Sequence, residues 1–142
     1  MKLAQRLALR YYRTKFSLIA AVSKKKAAEK AFALFCTPQV RNKKALPKKF
    51  EQGEVLRLRL EGIQVQGWRW IPKEDGLPAS GKKVMICHGF ESSVINFDRY
   101  IKPLLKKGYE VLAFDAPAHG RSGGKQINAP LYKQLILEVN KK

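Results

Sequence analysis

The chain contains the run Val84-Met85-Ile86-Cys87-His88-Gly89-Phe90, in which four apolar residues lead directly into a glycine-containing loop. The same design returns at Leu112-Ala113-Phe114-Asp115-Ala116-Pro117-Ala118-His119-Gly120-Arg121-Ser122. Between the two runs, residues 97–107 carry apolar side chains at helical spacing, and Gly108 ends that helix. This order predicts a strand, loop, helix, strand and loop, which is typical of the active-site edge of an α/β enzyme. Because residues 84–87 lack polar alternation, we expect their strand to be covered on both faces.

Upstream of this unit, two segments alternate apolar and polar residues with a period of two. Residues 55–60 form the first segment, residues 63–70 form the second, and Glu61-Gly62 connects them. This spacing predicts an antiparallel β-hairpin with one buried face. Trp68 and Trp70 share one face of the second strand, and we expect them to pack in the core or in an interface rather than to stack on bases.

The first 36 residues predict a basic helical hairpin. Apolar residues recur at helical spacing from Leu3 to Val22 with arginines between them, and Ser23 can cap a second helix over residues 24–35. The proline- and lysine-rich residues 37–53 have the composition of a surface linker. We therefore predict a hairpin arm at 1–36, a linker at 37–53 and a separate region at 54–142.

Positive charge is concentrated in the first third of the chain. Residues 1–50 hold 14 Lys and Arg and one acid, so they supply +13 of the formal net charge of +18. Such a segment is attracted to phosphate-rich partners, so a weak contact of residues 1–50 with nucleic acid or an anionic membrane is one expectation. The alternative is that a more acidic part of a longer protein offsets this charge.

The two runs quoted first resemble the third and fourth strands, with their loops, of the α/β-hydrolase family. His88-Gly89-Phe90 matches the loop that supplies a backbone N–H to the oxyanion hole in that family. Residues 130–140 resemble the helix that precedes the nucleophile elbow. The resemblance covers residues 54–142, and it implies an α/β fold in which the antiparallel hairpin leads into a doubly wound parallel sheet.

The resemblance also implies roles for individual residues. The backbone N–H of Phe90 would stabilise the oxyanion, and His88 and Gly89 would shape the loop. A structural role falls to the members of the second motif, which are Asp115, Pro117, His119, Gly120 and Ser122. In the family the nucleophile elbow follows the helix after this motif, so we expect no triad residue within residues 1–142. The chain would then be the N-terminal half of a hydrolase, and it would be inactive alone.

Two local patterns suggest other sites, and both are rejected. Residues 120–124 satisfy G-x-S-x-G, but an elbow places its serine directly between strand and helix, whereas residues 115–120 separate Ser122 from its strand. Residues 76–83 approach the phosphate-binding pattern G-x-x-x-x-G-K-[ST], but Lys83 stands at the hydroxyl position and the segment precedes a strand. We predict a flexible loop over residues 72–82.

The remaining signals bear on cofactors and location. Cys87 and His88 are adjacent while Cys36 and His119 are distant, which is not a metal-ligand spacing, so no metal and no cofactor is expected. Cys87 is expected to pack as a small apolar residue. No segment reaches the ~20 apolar residues of a transmembrane span. The longest apolar run near the N-terminus, residues 16–22, is interrupted by Ser17 and followed by Ser23 and three lysines, which does not fit a signal peptide. We predict a cytoplasmic protein, with peripheral membrane association as the alternative.

Two functions follow from these observations. The first is the N-terminal portion of a hydrolase that cleaves a small-molecule ester, amide or related bond, in the manner of an esterase, lipase or peptidase. The second is a non-catalytic basic module that binds nucleic acid or an anionic membrane. Because the second function leaves both hydrolase-like runs unexplained, we favour the first.

Overall fold

The computed structural model describes residues 3–42, 44–72 and 81–141. The chain divides into two compact units, Met1–Thr37 and Pro38–Lys142. The helices are α1 (Leu3–Val22), α2 (Lys24–Phe35), α3 (Lys48–Glu51), α4 (Asp98–Lys106) and α5 (Ala129–Val139), with a 3₁₀ turn at Val94–Phe97. The strands are β1 (Glu54–Leu60), β2 (Ile63–Trp70), β3 (Lys83–Ile86) and β4 (Glu110–Phe114).

The first unit consists of the two predicted helices. They pack against each other. Ser23 caps α2, because its side chain accepts a hydrogen bond from the Lys26 N–H at 3.3 Å. None of the helices in the described ranges has the length and hydrophobicity of a transmembrane span.

The second unit is built on a mixed sheet with the strand order β1-β2-β4-β3. β1 and β2 form the predicted antiparallel hairpin, whose two-residue turn has positive φ at both Glu61 and Gly62 (48° and 79°). β2 then pairs antiparallel with β4, and β4 pairs parallel with β3. The predicted α/β class and its hairpin are confirmed.

Apolar side chains cover both faces of this sheet. The first cluster includes Trp68 and Trp70 on the α4 side, where the Phe50 ring meets the two indoles edge to face at 5.0 and 5.1 Å. The second cluster joins α5 to the other face, and it consists of Leu60, Val65, Leu112, Phe114, Ala116, Leu135 and Val139. Because successive side chains of a strand point to opposite faces, Val111 and Ala113 of β4 belong to the first cluster. Leu112 and Phe114 belong to the second. The core position of the two tryptophans is therefore confirmed.

The structure corrects the prediction of a surface linker at 37–53. This segment contains α3, which buries Phe50 in the first core cluster, and the Trp70 indole N–H donates to the Lys49 carbonyl at 2.8 Å. The few apolar residues of this segment are scattered among lysines and prolines without a helical or strand period, so the burial of Phe50 leaves no signal in the sequence. Most of the predicted loop at 72–82 lies outside the described residues, since those exclude residues 73–80.

β3 is the last strand of the described sheet on its side. Ile86 lies in the first core cluster and Met85 packs against the second, so apolar residues lie on both faces of this strand, as its lack of polar alternation predicts. Val84 and Met85 are only half-buried. An open groove of about 500 Å³ lies beside the end of this strand, and it is lined by Ile86, Cys87, Phe97, Tyr100, Pro103, Leu104 and Lys107. After Lys83 at its start, the strand carries no charge and no proline, and an apolar edge of this kind is a site of self-association.

We therefore expect the 142-residue chain to dimerise or aggregate through β3 in solution. Cys87→Lys places a charge at the exposed position directly after this strand and should weaken self-association about tenfold, or roughly 1.4 kcal/mol. Light scattering during size-exclusion chromatography measures the effect. Leu137→Lys, at an exposed apolar position on α5, is the matched control. A wild-type chain that is monomeric and unfolds cooperatively contradicts the prediction.

Candidate active site

Two loops meet at one edge of the sheet. The β3 loop (residues 87–93) and the β4 loop (residues 115–124) follow the carboxyl ends of adjacent parallel strands, in which Ile86 pairs with Ala113. In α/β sheets, ligands bind outside the carboxyl ends of the strands. The two runs that the sequence singles out are thereby brought together.

The Asp115 carboxylate connects these loops. It is buried, and its Oδ1 accepts hydrogen bonds from Ser93 Oγ at 2.8 Å and from the Val94 N–H at 3.0 Å. Its Oδ2 accepts from the Arg121 N–H at 2.9 Å. Hydrogen bonds to an ionised carboxylate are roughly twice as strong as neutral ones, so this side chain fixes the end of the β3 loop to the β4 loop.

Gly120 and Ser122 both have structural roles in the β4 loop. Gly120 has φ +44°, and a Cβ at this position would overlap the Asp115 carboxylate, so only glycine fits. Ser122 is buried, its Oγ donates to the Asp115 carbonyl, and the same oxygen accepts from the Gln66 N–H at 3.0 Å. A hydroxyl that is buried and hydrogen-bonded on both sides supports the rejection of Ser122 as the nucleophile.

The two histidines form reciprocal hydrogen bonds between the loops. His88 Nε2 accepts from the Ala116 N–H at 2.9 Å, and His119 Nε2 accepts from the Glu91 N–H at 3.0 Å. Each imidazole therefore receives a backbone N–H of the other loop. Their Nδ1 atoms lie 2.8 and 2.9 Å from the carbonyls of Gly89 and Pro117, so both rings are in the tautomer with the proton on Nδ1. We name this arrangement the histidine clasp.

Burial disfavours a charge on one member of the histidine clasp. Burial lowers the pKa of His88 below the ordinary 6.5, although its hydrogen bond to Gly89 and the Asp115 carboxylate, 4.0 Å away, act in the opposite direction. Protonation at Nε2 would also break the bond from Ala116. His88 therefore acts within the histidine clasp as a neutral hydrogen-bond acceptor.

The lowered pKa of His88 predicts a loss of stability in acid. Below pH 6.5 the unfolded chain binds a proton at His88 that the folded chain does not, so the free energy of unfolding falls with pH, by up to about 1.4 kcal/mol per unit. The fall ends where the pH reaches the folded pKa. His88→Gln retains an acceptor for the Ala116 N–H and should show a shallower slope between pH 7 and pH 5 in urea unfolding. Equal slopes for the two proteins would disprove this.

The tip of the β3 loop is open while its base is fixed. Residues 89–91 are exposed, and a Cβ on Gly89 would meet no atom within 4 Å. The Phe90 ring packs edge to face on His119 at 5.5 Å, and the residue as a whole is 53% exposed. Glu91, at φ +55°, accepts a hydrogen bond from the Gln39 N–H at 2.7 Å. The β3 loop is therefore fixed at its base, and the space beside Gly89 is open.

Segments distant in sequence support both loops. Arg41 donates from Nε to the Ala118 carbonyl at 3.1 Å and from Nη2 to the Gly124 carbonyl at 2.9 Å. Tyr132, on α5, donates its hydroxyl proton to the His88 carbonyl at 2.8 Å. Sequence analysis missed these residues, because an isolated arginine or a helical tyrosine gives no sign of its distant partner.

Cys87 lies beside Tyr132, and its environment differs from the one predicted. β3 ends at Ile86, and Cys87 is exposed instead of packing within the strand. Partial burial of its thiol raises the pKa of Cys87, and burial likewise raises the pKa of Tyr132 to about 12. Both groups are therefore protonated at neutral pH, whereas a cysteine nucleophile would need to be a thiolate.

Within the described ranges, no three His, Cys, Asp or Glu residues are grouped as metal ligands.

Comparison with known proteins gives matches over this part of the chain. Residues 78–141 match the family model described as Hydrolase_4, serine aminopeptidase, S33. The uncharacterized protein YqkD of Bacillus subtilis (strain 168) is 30% identical over 73 residues, which are 51% of this chain and 22% of that protein. The chain thus spans less than a quarter of the length of this curated relative.

Solved structures give longer matches. The esterase Pf2001 of Pyrococcus furiosus superposes with a TM-score of 0.56 at 29% identity, over 73% of this chain and 41% of the esterase. A second crystal form of the same esterase superposes with a TM-score of 0.55 at 31% identity, over 72% of this chain and 38% of the esterase. A soluble variant of monoglyceride lipase from Saccharomyces cerevisiae superposes with a TM-score of 0.50 at 23% identity, over 69% of this chain and 34% of the lipase. This match shows a similar fold only. These matches confirm the resemblance to the α/β-hydrolases.

Proposed function

We propose that this relative of the α/β-hydrolases takes part in the hydrolysis of an ester or related acyl bond, and that its β3 loop supplies the backbone N–H of Phe90 to the oxyanion hole. The observation that carries the proposal is the histidine clasp, which fixes the base of the loop while its tip, residues 89–91, is exposed. The likeness to an esterase at 29% identity supports this class of substrate.

The chemistry of acyl transfer explains why such a loop is useful. As a nucleophile attacks an ester carbonyl, negative charge develops on the carbonyl oxygen, and rigid N–H donors stabilise it without reorganising during the reaction. The bonds from the Glu91 and Ala116 N–H groups to the two histidines supply that rigidity. Because Gly89 has no Cβ, substrate can come close to the backbone there.

We assign the nucleophile and the other triad residues to polypeptide outside residues 1–142. Within the described loops, Ser122, His88 and His119 all use their polar atoms in bonds that hold the fold. The proposal is also supported by coverage, since the chain spans 41% of the length of the esterase that it matches. The product of the complete gene is then the active enzyme, with a small-molecule ester or amide as substrate.

The test compares the 142-residue chain with the product of the complete gene in hydrolysis of p-nitrophenyl butyrate. We expect turnover by the complete product and none by the chain of 142 residues. Labelling with a fluorophosphonate probe, followed by peptide mass spectrometry, identifies the nucleophile. A complete product without turnover, or an adduct on Ser122, would refute the proposal.

Ser122→Ala separates a structural serine from a catalytic one. In the complete product we expect kcat to remain within about twofold of the wild type, while the free energy of unfolding falls by about 1–3 kcal/mol because the Gln66 N–H and the Asp115 carbonyl lose their buried partner. Ser92→Ala, which removes an exposed hydrogen bond to Asn96, is the matched control and should cost less. Abolished turnover in a folded Ser122→Ala protein would make Ser122 the nucleophile.

A further inference from the structure

The helical hairpin of the first unit exposes an apolar surface. Helix α1 has no fully buried residue, and all of the described residues 3–11 are exposed. Its half-buried residues, Tyr12, Phe16, Ile19 and Ala20, lie on one side of the helix. A second side carries an exposed stripe at helical spacing, with exposed fractions of 72% for Leu3, 59% for Leu7, 58% for Tyr11, 66% for Leu18 and 88% for Val22.

Positive charges flank this stripe. By the 3.6-residue period, Arg6, Arg10 and Arg13 lie along one border of the stripe, and Lys15 lies on the other. Helix α2 begins with three consecutive lysines and exposes Phe32 and Phe35. Residues 1–37 contain nine Lys and Arg and one acid.

The apolar and the charged side chains of this surface would each be stabilised by a different kind of partner. Five exposed apolar side chains in one row would gain from leaving water, and contiguous apolar patches on a surface mark sites of interaction. The cations beside them would gain from anionic partners. Helices that lie in the headgroup region of a bilayer combine these two features, with Lys and Arg on the polar side and Leu or aromatic residues on the other.

We propose that α1 and α2 bind the surface of an anionic phospholipid bilayer. Helix α1 lies in the plane of the interface, its Leu and Val side chains enter the acyl region, and its arginines contact the lipid phosphates. Nucleic acid fits the charge but gives no partner to four aliphatic residues of the stripe, because single strands are bound by aromatic stacking and duplexes by phosphate contacts. The proposal is independent of the hydrolase assignment.

The experiment measures binding of the whole chain to vesicles by co-sedimentation. One set of vesicles contains phosphatidylcholine and phosphatidylglycerol, and the other contains phosphatidylcholine alone. The apolar variant is Leu7→Ser with Leu18→Ser, and the charge variant is Arg6→Gln, Arg10→Gln and Arg13→Gln together. Ile136→Ser with Leu137→Ser removes two exposed apolar side chains from α5 and is the matched control. Circular dichroism checks that each variant keeps its helix content.

We expect the wild-type chain to bind the anionic vesicles and not the neutral ones. The charge variant should lose binding on the order of 100-fold, about fivefold for each arginine. The apolar variant should lose about tenfold or more, because two leucines no longer enter the bilayer. The control should bind like the wild type.

Three results would overturn the proposal. One is an absence of vesicle binding at low salt. Another is binding that the apolar variant retains in full, because the contact would then be electrostatic alone. The third is tighter binding to a DNA or RNA oligonucleotide than to anionic vesicles, unaffected by the leucine substitutions, which would identify a nucleic-acid partner instead.

Discussion

Replacement of Asp115 by Ala is expected to lower the free energy of unfolding of residues 38–142 by about 3–5 kcal/mol. The change removes the acceptor of three hydrogen bonds, from the Ser93 hydroxyl, the Val94 N–H and the Arg121 N–H. Ser93 and Val94 are themselves buried, so water does not replace the carboxylate at their donors. Because domains are stable by only about 5–15 kcal/mol, the variant should be close to the limit of folding.

Urea unfolding followed by tryptophan fluorescence measures this effect, since Trp68 and Trp70 are both buried in the second unit. Asp115→Asn keeps an oxygen for Ser93 and Val94 and should cost less than Asp115→Ala. Glu51→Ala removes an exposed carboxylate from the same unit and should change stability by less than about 0.5 kcal/mol. A loss below 1 kcal/mol in Asp115→Ala would show that the carboxylate does not hold the two loops together.

Phe90→Pro is expected to reduce kcat of the complete gene product by about 10²–10³-fold, or roughly 2.7–4 kcal/mol of transition-state stabilisation. Proline has no backbone N–H, so the substitution removes the donor that we assign to the oxyanion hole. The loss should fall on kcat more than on KM, because the donor acts on charge that develops in the transition state. Hydrolysis of p-nitrophenyl butyrate gives both constants.

Phe90→Ala is the matched control for this experiment. It removes the ring and keeps the backbone N–H, and Phe90 as a residue is 53% exposed, so kcat should stay within several-fold of the wild type. Urea unfolding of both variants shows whether the loop survives the proline. Equal losses of kcat in two folded variants would contradict the role of the Phe90 N–H.

Local patterns were sufficient to predict much of the fold. Period-two alternation predicts the hairpin of β1 and β2 together with the shared face of Trp68 and Trp70, and the run from residue 84 to residue 122 predicts the parallel pair with its loops. These features depend on residues that are neighbours in sequence. Phe50 was missed because its burial depends on Trp68 and Trp70, which come later in the chain.

The meeting of the two loops was predictable from the sequence, but their hydrogen bonds were not. The two motifs come together at one edge of the sheet, and the resemblance points to His88, Gly89 and Phe90. The partners of the imidazoles are backbone groups 28 residues away, and Tyr132 reaches a carbonyl 44 residues away. A backbone N–H has no residue identity, so a sequence pattern does not reveal which one a side chain will meet.

The histidine clasp makes the lengths of the two loops interdependent during evolution. An insertion between Ile86 and His88 would displace His88 from Ala116, and an insertion between His88 and Glu91 would move the Glu91 amide away from His119. A compensating change would have to arise in the opposite loop, within the few residues from Ala116 to His119. We therefore expect related proteins to differ by substitutions at the exposed tip of the β3 loop, whereas the lengths of the β3 and β4 loops stay the same.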